Sequence, residues 1–134
     1  MKAFISIPMH GRDETEIRKD QKEWFENLKE DFKSQKRDED LKLIETINKP
    51  NVPENASRLW YLGESIKLLS EADVVFFPYG WWTATGCWVE FFAANLYEKE
   101  VIFDYKDEAM RMGLENAMRL IGLSVGPKRK EESK

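Results

Sequence analysis

VVFFPYGWWTATGCWVEFFAANLYEKEVIFDY, residues 74–105, decides the fold. Its first four residues are all β-branched or aromatic, the composition of a strand buried on both faces. Pro78 to Gly86 follows as a loop with glycine near both ends. CWVEFFAANLYEKE (87–100) reads as a helix, in which Ala93 and Ala94 are small enough to let a neighbour pack closely. VIFDY (101–105) reads as another buried strand. Strand, helix and strand in this order are the unit from which parallel sheets are built.

The pattern continues upstream. Leu59, Leu62, Ile66 and Leu69 share one helical face, which predicts a helix over 57–71. AFISIPM (3–9) predicts a first strand ended by Pro8 and Gly11. Asp13 with Glu16 has capping-box spacing. Ile17, Trp24, Phe25, Leu28 and Phe32 then recur at helical intervals, so a helix is predicted over 13–34. SQKRDED (34–40) is a polar linker, LKLIETI (41–47) a further strand, and NKPNVPEN (48–55) a loop. Downstream, Met110, Leu114, Ala117, Met118 and Ile121 mark a last amphipathic helix, and periodicity is lost from Gly122. The expectation is one α/β domain over 1–122, a three-layer sandwich with a parallel sheet of four to five strands, and a flexible polar tail over 123–134.

A chain of 134 residues with 42% apolar and 13% aromatic content can bury one core. Its net charge of −4 argues against non-specific duplex binding, which needs a basic surface to neutralise phosphates. Cys87 is the only cysteine, so no intrachain disulfide forms, as suits a reducing compartment. The opening MKAFISIPM is too short an apolar run for a signal peptide, and no stretch is long enough to span a membrane. A cytoplasmic location is expected.

Open parallel sheets bind ligands beyond the carboxyl ends of their strands, where strand order reverses. Two loops meet that description, Pro8 to Asp13 and Pro78 to Gly86, and both run into a helix. Glu90 is expected in the first turn of the helix after the second loop, where unpaired N–H groups favour an ionised carboxylate. An ionised carboxylate beside a pocket is what glycosyl transfer needs as a nucleophile. A first-turn glutamate also serves simply to stabilise a helix start. Trp81, Trp82 and Trp88 could stack on a nucleobase, or pack in a core or an oligomer interface. Pro8, Met9, Gly11 and Arg12 form a candidate phosphate or sugar loop, although it has neither Walker nor dinucleotide spacing. His10 reads as a solvated loop residue and Asp73, at a strand start, as structural. No Cys/His cluster points to zinc.

FISIPMHGR (4–12), LWYLGESIKLLSEADVVFF (59–77), GWWTATGCWVE (80–90) and the stretch from Ala94 to Ile102 resemble the nucleoside 2-deoxyribosyltransferase-like family, most closely its small phage- and prophage-borne members. The resemblance implies a flavodoxin-like, Rossmann-like fold, oligomers with composite sites, and cleavage of N-glycosidic bonds. It puts the nucleophilic glutamate, four residues after Gly86, at Glu90, and the sugar- or 5′-phosphate-contacting backbone at Ser6 to Gly11. The sequence departs from the family at two places. Ser65 stands where an aspartate precedes the strand acid by eight residues, with Glu64 beside it but turned about 100° on the helix. Ala84 stands where an aspartate or serine precedes the nucleophile by six.

Two function classes follow. One is hydrolysis or deoxyribosyl transfer on a nucleoside or nucleoside monophosphate, with Glu90 catalytic and Ser6, Pro8, Met9, Gly11, Arg12, Ser65, Gly80, Trp81, Trp82 and Gly86 binding substrate. The other is a non-catalytic protein that sequesters a nucleotide. Neither needs a metal or organic cofactor. Trp81, Trp82, Phe91 and Phe92 crowd one edge of the third helix, so a homodimer or larger homo-oligomer is expected through that helix. A structural oligomer built on those tryptophans is a third, plainer reading.

Overall fold

Val74, Val75, Phe76 and Phe77 carry no polar side chain, so a strand made of them needs apolar cover on both faces. The computed structural model, which describes residues 1–47 and 51–104, provides it, and all four are at most 1% exposed. The elements are β1 (Lys2–Ile5), α1 (Glu14–Ser34), β2 (Lys42–Leu43), α2 (Arg58–Leu69), β3 (Val74–Phe77), α3 (Thr85–Leu96) and β4 (Glu100–Phe103). A short 3₁₀ turn, Trp81–Thr83, precedes α3. The strands form one parallel sheet in the order β2-β1-β3-β4.

Strand alternation divides the interior into two cores. Ala3, Ile5, Val74 and Phe76 face α1, where they meet Ile17, Leu28 and Phe32. Phe4, Val75, Phe77, Val101 and Phe103 face the opposite way, onto Leu69 of α2 and Cys87, Phe91 and Ala94 of α3. The architecture is thus a flavodoxin-like, Rossmann-like three-layer sandwich, with α1 on one face and α2 and α3 on the other. The chain leaves β1 toward one face and β3 toward the other, so strand order reverses between these two neighbours. Their carboxyl ends flank the switch point. Among the described residues, no helix is long and apolar enough to cross a membrane.

Several boundaries differ from expectation for local reasons. β1 ends at Ile5, because Ser6 N–H makes the last ladder bond, to Phe76 O at 2.9 Å, and Pro8 has no N–H to extend it. β2 shrinks to two residues, with one further bond from Ile44 N–H to Ala3 O at 2.9 Å. The capping box does not form: Asp13 makes no side-chain cap, and Glu16 is drawn instead to the Arg12 guanidinium at 2.9 Å. On α2, Ser57 caps the Trp60 N–H at 3.1 Å, and Ser65 and Leu69 are the buried residues. Leu59, expected on the inward face, is 74% exposed. α3 starts at Thr85, which moves Gly86 out of the loop and into the helix. The predicted last helix over 110–121 and the tail over 123–134 lie outside the described residues.

The tryptophans part company here. Gly80, at φ 96°, adopts the left-handed turn that glycine tolerates best, and the 3₁₀ turn after it drives Trp81 inward. Trp81 stacks on Phe91 with centroids 5.0 Å apart, meets Phe77 edge-on at 5.1 Å, and is 2% exposed. Its ring therefore has no face for a base, which corrects the assignment of Trp81 to substrate binding. Trp81 and Phe91 are both covered within the chain, so only Trp82 and Phe92 remain of the four aromatics expected at an oligomer contact. Trp81→Ala is expected to cost about 3–5 kcal/mol, as large-to-small changes in packed cores do. Urea unfolding measures this, and a loss below about 0.5 kcal/mol would place Trp81 outside the core.

Candidate active site

Ser6 follows β1 and shares the parity of Phe4, so its side chain is turned to the α2 and α3 side. On α3 the buried residues are Cys87, Glu90, Phe91, Ala94 and Asn95, spaced by three and four as an inward helical stripe requires. Glu90 is the one acid in that stripe. Ser6 Oγ donates to Glu90 Oε1 at 2.6 Å, between side chains only 0% and 6% exposed. A carboxylate out of water needs hydrogen-bond donors, and a bond from a hydroxyl to a charged acceptor is among the stronger ones available. This contact joins the end of β1 to the helix that follows β3, at the switch point.

The support for Glu90 differs in kind from the sequence expectation. Because α3 begins two residues earlier, at Thr85, Glu90 sits in the second turn and the first turn holds no acid. The macrodipole acts mainly within the first turn. The partner is therefore a side chain 84 residues away along the chain.

Cys87 lies one turn before Glu90 on the same face, and the sequence reading missed it as a neighbour of the site. Its spacing of three from Glu90 was the available signal. Burial pushes the thiol up to about 12 and the Glu90 charge adds to that, while hydrogen bonding with Ser6 pulls the other way. The thiol stays protonated at neutral pH. It is not a nucleophile, because thiolate is the reactive form.

On α2, Ser65 takes the inward position at 6% exposure. Glu64 is turned aside and pairs with Lys67 at 3.1 Å. In the first loop Pro8 and Met9 are half-buried, whereas His10 and Gly11 are exposed. Gly11, at φ 75°, helps close a turn in which Arg12 N–H donates to Met9 O at 3.1 Å. Arg12 folds back on its own surroundings, with contacts to Asp20 at 2.6 Å, Pro8 O at 2.8 Å and Glu16 at 2.9 Å. Bonding to Asp20 is the largest influence raising its pKa. In the other loop Trp82 is half-buried, meets Tyr79 edge-on at 4.8 Å, and accepts from Trp88 Nε1 at its carbonyl, 2.9 Å away. A Cβ on Gly86 would only touch Leu62 Cδ1 at 3.8 Å, so packing does not demand glycine there.

The fold thus brings Ser6, Cys87 and Glu90 into one buried cluster, with Gly80 and Trp82 in the adjoining loop. Trp81 is withdrawn into the core. Among the described residues, no group of three His, Cys, Asp or Glu side chains is placed to hold a metal ion. The chain matches no protein-family model, no curated protein and no solved structure. Function has to be read from the geometry of the site.

The thiol carries a pH signature. Its folded pKa of about 12 lies above the ordinary 9.0, so above pH 9 the unfolded chain releases a proton that the folded one keeps. Stability contributed at Cys87 is then lost as pH rises from 9 towards 12, by at most about 1.4 kcal/mol per pH unit. Urea unfolding of the native chain and Cys87→Ala at neutral and alkaline pH checks this. The variant is expected to decline less steeply, and equal declines would show that the thiol is not shielded.

Proposed function

We propose that this protein binds a nucleoside or nucleoside monophosphate beyond the carboxyl ends of β1 and β3, and cleaves its N-glycosidic bond with Glu90 as nucleophile. The observation that carries this reading is the 2.6 Å bond from Ser6 Oγ to Glu90 Oε1 at the switch point. A bonded carboxylate in a mostly dry position is oriented before substrate arrives, and orientation is a large part of what an enzyme contributes. A Glu90 oxygen attacks the anomeric carbon, and the base departs with the electron pair of the glycosidic bond. Water, or a second base, then displaces the sugar from the glutamyl ester. Hydrolysis and deoxyribosyl transfer differ only in that last acceptor, and the oxocarbenium-like chemistry calls for no cofactor. Trp82, half-buried in the loop after β3, is the tryptophan suited to stack on a base. The resemblance over residues 80–90 supports the same assignment.

A second reading, a non-catalytic nucleotide-binding protein, draws on α2. A departing base needs a proton or its equivalent, and a general acid typically contributes about 10²–10⁴-fold. Ser65 is too weak an acid for that role at neutral pH, and Glu64 is engaged by Lys67. Binding asks less of the site than turnover does. On either reading we place the protein in the cytoplasm, where a single buried cysteine stays reduced. A homo-oligomer is part of the proposal, with Trp82 and Phe92, both half-buried on the α3 side, among its contacts. Light scattering at micromolar concentration tests that part, and a monomer would remove it.

Chromatography of a nucleoside and nucleoside monophosphate panel after incubation with the protein tests the chemistry. Free base is expected, and Glu90→Gln should lower its release by on the order of 10³-fold or more while leaving the fold intact. Near-normal release by a folded Gln variant removes Glu90 from the mechanism. Saturable quenching of tryptophan fluorescence, weakened by Trp82→Ala, with the ligand recovered intact establishes the binder.

A further inference from the structure

Arg12 holds two consecutive carbonyls of the loop that leaves β1. Its backbone N–H donates to Met9 O at 3.1 Å, and its Nη1 donates to Pro8 O at 2.8 Å. The rest of the guanidinium faces α1. Nη2 reaches Asp20 Oδ2 at 2.6 Å, and Nη2 and Nε both reach Glu16 Oε1, at 2.9 and 3.2 Å. Glu16 and Asp20 are four residues apart and so share one side of the helix. That side is firmly seated, because Ile17 and Gln21, beside them in the chain, are buried. A guanidinium is flat and carries donors along more than one edge. Carboxylates that set its plane at one edge therefore set the direction of the N–H groups at the other. A peptide group is planar too, so the bond to Pro8 O fixes the whole Pro8–Met9 unit, its N–H included. Ahead of this loop, Ser6 N–H is pinned to Phe76 O at 2.9 Å. Residues 7–11 are thus held on β3 at one end and on α1 at the other, directly after the Ser6 that bonds Glu90.

We infer that Arg12 and Asp20 are positioning residues that shape residues 7–11 into a wall of the ligand site, acting through the Pro8 carbonyl and not by contact with the ligand. This rests on the nucleoside or nucleotide reading above, and it changes the part of Arg12 from anion contact to brace. Asp20 orients the guanidinium, and the guanidinium orients the loop. A loop ordered before the ligand arrives removes that ordering cost from binding. The two parts differ in what they ask of ligand charge. A direct contact from Arg12 would favour a phosphate and be indifferent to an uncharged nucleoside, and neutralising Asp20 would then strengthen phosphate binding. A brace serves both ligands alike, so loss of either residue weakens both.

Tryptophan fluorescence titrations of the full chain with the four 2′-deoxynucleosides and their 5′-monophosphates, joined to amide exchange read by mass spectrometry, test this. In Arg12→Gln and in Asp20→Asn, exchange across residues 7–11 is expected to speed up while exchange in β3 stays slow. Each variant should raise the Kd of every ligand that binds by about tenfold, within what a displaced binding group costs. Arg12→Gln/Asp20→Asn should bind no more weakly than Arg12→Gln alone, because Asp20 then has nothing left to act through. A merely structural effect of Asp20 would add to that of Arg12. Arg12→Lys keeps the charge but loses the flat fork, and should restore little of the binding. Both side chains are partly exposed, at 22% and 37%, and Asp20→Asn is the milder change of the two. Loop exchange unmoved in both variants overturns the inference alone, as do additive losses. Tighter monophosphate binding by Asp20→Asn, with nucleoside binding unmoved, also overturns it and makes Arg12 an anion contact. Failure of every nucleoside and monophosphate to bind the native chain overturns the nucleoside reading itself, and this inference with it.

Discussion

A β-strand alternates its side chains between two faces, and the segment from Ala3 to Ser6 has to serve different neighbours with each. Ala3 and Ile5 complete the core under α1, while Phe4 completes the core under α2 and α3. Ser6 is the next residue on the Phe4 side, so it emerges at the end of the strand pointing into the layer that holds α3. A slip of one residue would send Ile7 toward Glu90 and Ser6 into the apolar core beneath α1. The register of β1 on β3, with Ala3 beside Val74 and Ile5 beside Phe76, therefore sets both the packing of the sandwich and the donor for its buried carboxylate.

That carboxylate is unusual by position. Every other residue of the inward stripe of α3 is apolar, a thiol or an amide, and Asn95 satisfies its own amide on the Phe91 carbonyl at 2.8 Å. Replacing Glu90 by a hydrophobic residue would take from the buried Ser6 hydroxyl its acceptor, at a cost of about 1–3 kcal/mol. Buried acids tend to mark functional sites, because such environments tune reactivity. The neighbouring thiol shows the effect of the same environment on a group with no ion partner, since it is held neutral.

Aromatic residues set the stiffness of the ground on which the site stands. Phe77, Trp81, Phe91 and Phe103 make mutual ring contacts at centroid distances from 5.0 to 5.8 Å. This cluster clamps the start of α3 onto β3 and β4. Trp88 sits over Trp81 at 4.7 Å and ties its indole N–H to the Trp82 carbonyl, so the loop after β3 is braced from both sides. A loop braced in this way has little ordering entropy left to lose on binding.

Much of this was legible in the residues themselves. The strand 74–77 could be read from composition, the long helix after residue 13 from its period, and the alternation of the two implied a parallel sheet with helices on both faces. These are local properties, fixed by side-chain shape and by the periods of two and 3.6. Glu90 also stood out, though for a reason that did not hold: a local rule placed it on a helix N-terminus, and the helix began earlier. Which tryptophan would be buried, which oxygen Glu90 would bond, and which acids would claim Arg12 were decided only by the tertiary structure. Those outcomes depend on strand register and on competition between partners far apart in the chain, Ser6 with Glu90 above all. Spacing within a segment carries no information about such contacts, because they exist only after the layers have packed.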